Sequence, residues 1–85
     1  MSINLLRIFV TAARRLAART QLQVASDCGM SRKELNAIET GTLLPARHRL
    51  VALSRILNVP VEFLECLAEM DSLGARVRRN RFLRP

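Results

Sequence analysis

Eighty-five residues fit one domain with one modest core, and a hydrophobic content of 49% excludes disorder as the description of the whole chain. Aromatic residues are only three Phe, so the core is expected to be aliphatic helix-on-helix packing rather than sheet. Thirteen Arg and one Lys against seven acids leave a net charge of +7, a field that draws in polyanions, with nucleic acid the leading class.

From Asn4 to Ala18, the apolar positions Leu6, Val10, Ala13 and Ala17, with Phe9 and Leu16, recur at three and four residues and predict an amphipathic helix. Its start, Ile3 to Ala13, mimics a secretion leader, but Arg7 interrupts it, and Arg14 and Arg15 stand where a cleavage site belongs. Thr20 caps a short second helix with Gln21 in its first turn and Val24, Ala25 and Cys28 inward, until Gly29 stops it. Ser31 then caps a third helix, Arg32 to Glu39, with Glu34 at the spacing of a capping box. Gly41 ends that helix, and Pro45 opens a fourth that runs to about Leu57. After the turn Asn58-Val59-Pro60, a fifth helix is expected from Val61 to about Met70 with Phe63, Leu64 and Leu67 inward. Beyond Gly74 come Arg76, Arg78, Arg79, Arg81 and Arg84 with no acid, which reads as a basic arm.

The expected fold is therefore all-α with five helices: one domain over residues 1–72 and a basic C-terminal extension over 73–85 that serves dimerisation or DNA contact. Cys28 and Cys66 are isolated and His48 is the only histidine, so neither a metal site nor a disulfide framework is expected, and no cofactor. Both cysteines read as reduced packing residues, with an intermolecular bridge through Cys66 as the alternative. No apolar run has transmembrane length, so a cytoplasmic protein with no membrane partner is expected. A lone His without a nucleophile motif gives no ground for an enzyme.

Residues 20 to 64 resemble the lambda-repressor or Cro/C1-type (XRE-like) helix-turn-helix. The likeness is carried by Thr20-Gln21, Ala25 four before Gly29, Ser31 two after it, Ile38-Glu39-x-Gly41, Pro45, a Leu-rich fourth helix and Asn58-Val59-Pro60-x-x-Phe63-Leu64. The resemblance implies that the third helix lies in the DNA major groove. Arg32 and Lys33 then face base edges and donate to guanine, Glu34 accepts from cytosine N4, and Ala37 touches a thymine methyl. It further implies phosphate contacts by Gln21, with its own backbone N–H, and by Ser31, Asn36, Arg19, Arg47 and His48. Arg14 should pair with Glu39 in a partly buried bridge. Without the resemblance, Arg32-Lys33-Glu34 reads as a solvated helix start in which Glu34 only caps. Two features depart from the family: Ala18-Arg19 replaces the usual Gly-Leu, and Leu22 stands at a normally polar site.

One such module covers too little DNA for specificity at cellular salt, whereas two on one face of the duplex suffice, which predicts a homodimer on an inverted repeat. Cys66, Met70, Leu73, Val77, Phe82 and Leu83 supply the apolar surface left for that contact. The expected function is a compact phage- or plasmid-type repressor of the bacterial cytoplasm, bound to the nucleoid through a palindromic operator and needing no small-molecule ligand. An autoregulating antitoxin is the alternative, and a membrane-surface or RNA-binding module the third reading.

Overall fold

The computed structural model describes residues 5–83, with side chains described through residue 73. Five helices follow in order: α1 (Leu5–Leu16), α2 (Gln21–Asp27), α3 (Arg32–Glu39), α4 (Arg47–Leu57) and α5 (Val61–Leu83), with no strand among the described residues. Of these, none is long and apolar enough to cross a membrane.

Local sequence sets the helix boundaries. Thr20 and Gln23 form a reciprocal capping box on α2: the Thr20 hydroxyl accepts from the Gln23 N–H at 3.1 Å, and Gln23 Oε1 accepts from the Thr20 N–H at 2.9 Å. Ser31 caps α3 by accepting from the Glu34 N–H at 3.0 Å. The first four helices all end on a left-handed residue: Ala18, Gly29, Gly41 and Asn58, with φ between 57° and 80°. At all four, the next residue's N–H reaches back five positions, Arg19 to Arg14, Met30 to Ala25, Thr42 to Ala37 and Val59 to Ser54. Each such bond satisfies one of the carbonyls left open by the ending helix.

The core is aliphatic, as the composition predicts. Leu6 and Val10 of α1, Val24 of α2, Leu35 and Ile38 of α3, Leu53 of α4 and Leu64 of α5 form its deepest part. Helix α5 packs across α1 and α4, while α3 packs against α2 and α1. Asp71 fastens the α1–α5 contact: its two carboxylate oxygens accept the Leu5 and Leu6 N–H groups at 2.7 and 3.0 Å. An acid midway along α5 thus caps α1 across the fold.

Three expectations need correction. Helix α5 does not end near Met70; its backbone runs through Gly74 to Leu83, so the basic run continues the helix instead of forming a separate arm. A single Gly inside a helix costs only about 1 kcal/mol relative to Ala, and the Arg, Ala and Leu around it favour helix. Phe63, expected inward, lies with its ring against Phe9 in an edge-on contact of 4.9 Å between centroids and stays 43% exposed. Helix α1 stops at Leu16, two residues early, because Ala18 takes the left-handed turn; Asn4 lies outside the described residues.

Candidate nucleic-acid interface

Helix α3 is two-faced. Leu35, Ile38 and Glu39 are buried, whereas Ser31, Arg32, Lys33 and Asn36 are exposed and Ala37 is half-buried between them. A stripe of two aliphatics thus seats the helix, and its basic N-terminal half protrudes. Two open grooves flank that half. One, of about 450 Å³, is lined by Gln21, Arg32, Lys33 and Asn36. The other, of about 630 Å³, lies where the C-terminal end of α1 meets the starts of α2 and α3, and is lined by Arg14, Arg15, Thr20, Gln21, Leu22 and Arg32. Three guanidinium-bearing residues share the second groove. Arg15, which the sequence reading passed over, is among them and is exposed.

The ion pair expected between Arg14 and Glu39 is present. Arg14 Nε donates to Glu39 Oε2 at 2.7 Å and its terminal nitrogen to Oε1 at 3.0 Å, with the side chains 11% and 5% exposed. Arg14 also donates to the Arg19 carbonyl at 2.7 Å. Donating to the Glu39 carboxylate pushes the Arg14 guanidinium up from its ordinary value, against the opposing effect of desolvation. Gln21 extends the network, donating to Glu39 Oε1 at 3.2 Å and to Asn36 Oδ1 at 3.3 Å. Arg14, Gln21, Asn36 and Glu39 therefore tie α1, α2 and α3 together directly beneath the exposed basic residues.

Other expected contacts already hold protein partners. Glu34 does not complete the capping box; its carboxylate takes Arg49 of α4, at 2.8 Å from Nε and 3.3 Å from a terminal nitrogen. Arg49 also donates to the Gly29 carbonyl at 2.9 Å, so it clasps both the α2–α3 turn and the first turn of α3. Arg19 pairs with Asp27 across the ends of α2. Arg47 donates to Glu65 of α5 at 2.9 Å, and His48 is exposed beside it in the first turn of α4. A Cβ added at Gly29 would meet nothing within 4 Å, so lack of space does not select glycine there. What the position requires is its φ of 70°.

Phe63, Cys66, Met70 and Leu73 are exposed along α5. Their spacing of three, four and three residues makes one seam on the helix surface. The side chains of Val77, Phe82 and Leu83, assigned to the same surface from the sequence, lie outside the described residues.

Residues 10–64 match the family model described as helix-turn-helix. Neither a curated protein nor a solved structure matches the chain. The matched span takes in all of α2, α3 and α4, most of α1 and the start of α5, well over half of the sequence. The chain belongs to the helix-turn-helix family of the XRE and lambda-repressor type and is a DNA-binding transcription regulator.

Proposed function

We propose that this regulator is a repressor that occupies an inverted-repeat operator as a homodimer. The observation that carries the reading is the exposed basic half of α3, Ser31 to Asn36, seated on a frame of buried Leu35, Ile38 and Glu39. Arg32 and Lys33 donate to guanine edges in the major groove, and Ala37 approaches a thymine methyl. Ser31, Asn36, Gln21 and His48 contact phosphates. Arg19 and Arg47 reach phosphate only by leaving Asp27 and Glu65, which exposed pairs do at small expense. Glu34 is left out of the reading set because Arg49 already holds its carboxylate.

The α5 seam of Phe63, Cys66, Met70 and Leu73 is the surface on which two copies meet, with the Arg-rich end of α5 beside it. Selection of binding sites from a pool of duplexes randomised over 20 base pairs tests the reading. It predicts enrichment of a G·C-containing inverted repeat, and enrichment of a single unpaired half-site, or of none, counts against it. Sedimentation of the Met70→Glu variant should show a monomer where the parent protein sediments as a dimer.

A further inference from the structure

Glu34 and Glu39 lie five positions apart on α3, about 140° around a helix of 3.6 residues per turn. The buried stripe of Leu35 and Ile38 runs between them, so the two carboxylates mark its opposite edges. Each is held by a two-bonded arginine from a different helix: Glu39 by Arg14 of α1 and Glu34 by Arg49 of α4.

We infer that Arg49, acting through Glu34 and the Gly29 carbonyl, is a positioning residue that sets the roll of α3 and thereby its base-pair specificity. The inference rests on the DNA-reading role proposed for α3. Aliphatic packing is non-directional and resists a small rotation only weakly, whereas a forked arginine–carboxylate pair fixes an orientation. A roll of about 20° moves a side-chain tip some 6 Å from the helix axis by about 2 Å, enough to lose a hydrogen bond to a base edge. Arg14 and Gln21 hold the Glu39 edge; Arg49 holds the Glu34 edge, which neither of them reaches. By also holding the Gly29 carbonyl, Arg49 ties that roll to the left-handed turn that sets the direction in which α3 leaves α2. Both members of the pair keep 26% of their surface in solvent, so a charge left behind stays hydrated and variants lacking the pair should fold.

The test uses the full-length protein and the duplex most enriched from the randomised 20-base-pair pool, compared with a scrambled duplex of equal composition. Arg49→Gln and Glu34→Gln should each lower the preference for the selected duplex by about tenfold, the equivalent of one lost base contact. The loss should spread over all the base pairs that α3 reads. Scrambled-duplex binding by Glu34→Gln should not weaken, since that change removes a negative charge. The double variant should lose no more than Arg49→Gln alone, because Glu34→Gln breaks only a contact that Arg49→Gln already removes.

Loss confined to one base pair in Glu34→Gln would make Glu34 a direct reader and overturn the inference. So would additive single losses, or an Arg49→Gln effect equal on both duplexes with the salt slope lowered by about one, the mark of a phosphate contact. If the parent protein enriches no sequence at all, the DNA-reading proposal falls and this inference with it. If it enriches one and the variants keep their preference, only the inference falls.

Discussion

Arg14 and Glu39 meet in a two-bonded fork that joins α1 to the end of α3, and both side chains are nearly sealed from solvent. Removing one partner from such a pair strands the other charge. Glu39→Gln or Arg14→Met should therefore lower the unfolding free energy by about 3–5 kcal/mol, read from urea midpoints. Replacing both together, as Arg14→Met with Glu39→Leu, should recover much of that loss, since no charge is then left buried. Because the guanidinium is pushed up, its contribution is complete at every pH below the ordinary arginine value and is lost only as pH climbs through the raised one. Equal, small losses for single and double variants would show that the pair is solvated in solution.

Ala18 occupies a left-handed position, φ 57°, that closes α1, with the Ala18 N–H on the Arg15 carbonyl and the Arg19 N–H on that of Arg14. A Cβ in this conformation is disfavoured by about 1–2 kcal/mol, and the extra freedom glycine brings to the unfolded chain offsets about 0.4–1 kcal/mol of the relief. The strain is the larger of the two. Ala18→Gly is expected to stabilise the protein by about 0.5–1 kcal/mol, which raises Tm by roughly 3–6 °C in a domain of this size. A thermal melt showing no rise would place Ala18 outside the left-handed region in solution.

Arg15 and Arg32 line the same groove but should fail differently. Arg15 belongs to the C-terminal end of α1 and not to the base-reading helix, and is suited to phosphate. Arg15→Ala should weaken binding to all duplexes alike and lower the log–log salt slope by about one. Arg32→Ala should cost about 1–3 kcal/mol on the selected duplex and relax preference at one base pair. Titrations of both variants on selected and scrambled duplexes at several salt concentrations distinguish the two. A uniform loss for Arg32→Ala would move it to the phosphate set.

The parts of this fold that depend on neighbours in sequence were legible before the structure. Thr20, Ser31, Gly29 and Gly41 act within a turn of their own position, and each marks a helix end where expected; Pro45, expected to open α4, stands two residues before its start at Arg47. What escaped was long-range. Asp71 caps α1 from 66 positions away, and nothing local distinguishes it from any acid on a helix surface. Glu34 suits a capping box, a cytosine contact and an ion pair equally well by type. Only the placement of Arg49, 15 residues on, decides among them. The fifth helix, expected to end near Met70, runs on through Gly74, because the helical stretches on either side are long enough to carry a glycine.

The two cysteines offer a solution test of the α5 seam. Cys28 is buried at the end of α2, and burial, helped by the nearby Asp27 carboxylate, pushes its thiol up. It should react slowly with a thiol reagent until the protein unfolds. Since the folded thiol holds its proton above the value it has in the unfolded chain, Cys28 leaves stability unchanged below that unfolded value and subtracts from it as pH rises toward the raised one. Cys66 is exposed on the seam and should react quickly in a monomer. If two copies pair along Phe63, Cys66, Met70 and Leu73, its labelling must slow at high protein concentration and quicken on dilution, while Cys28 stays slow throughout. A Cys66 rate independent of concentration, at concentrations where sedimentation shows a dimer, would place the contact elsewhere on the molecule.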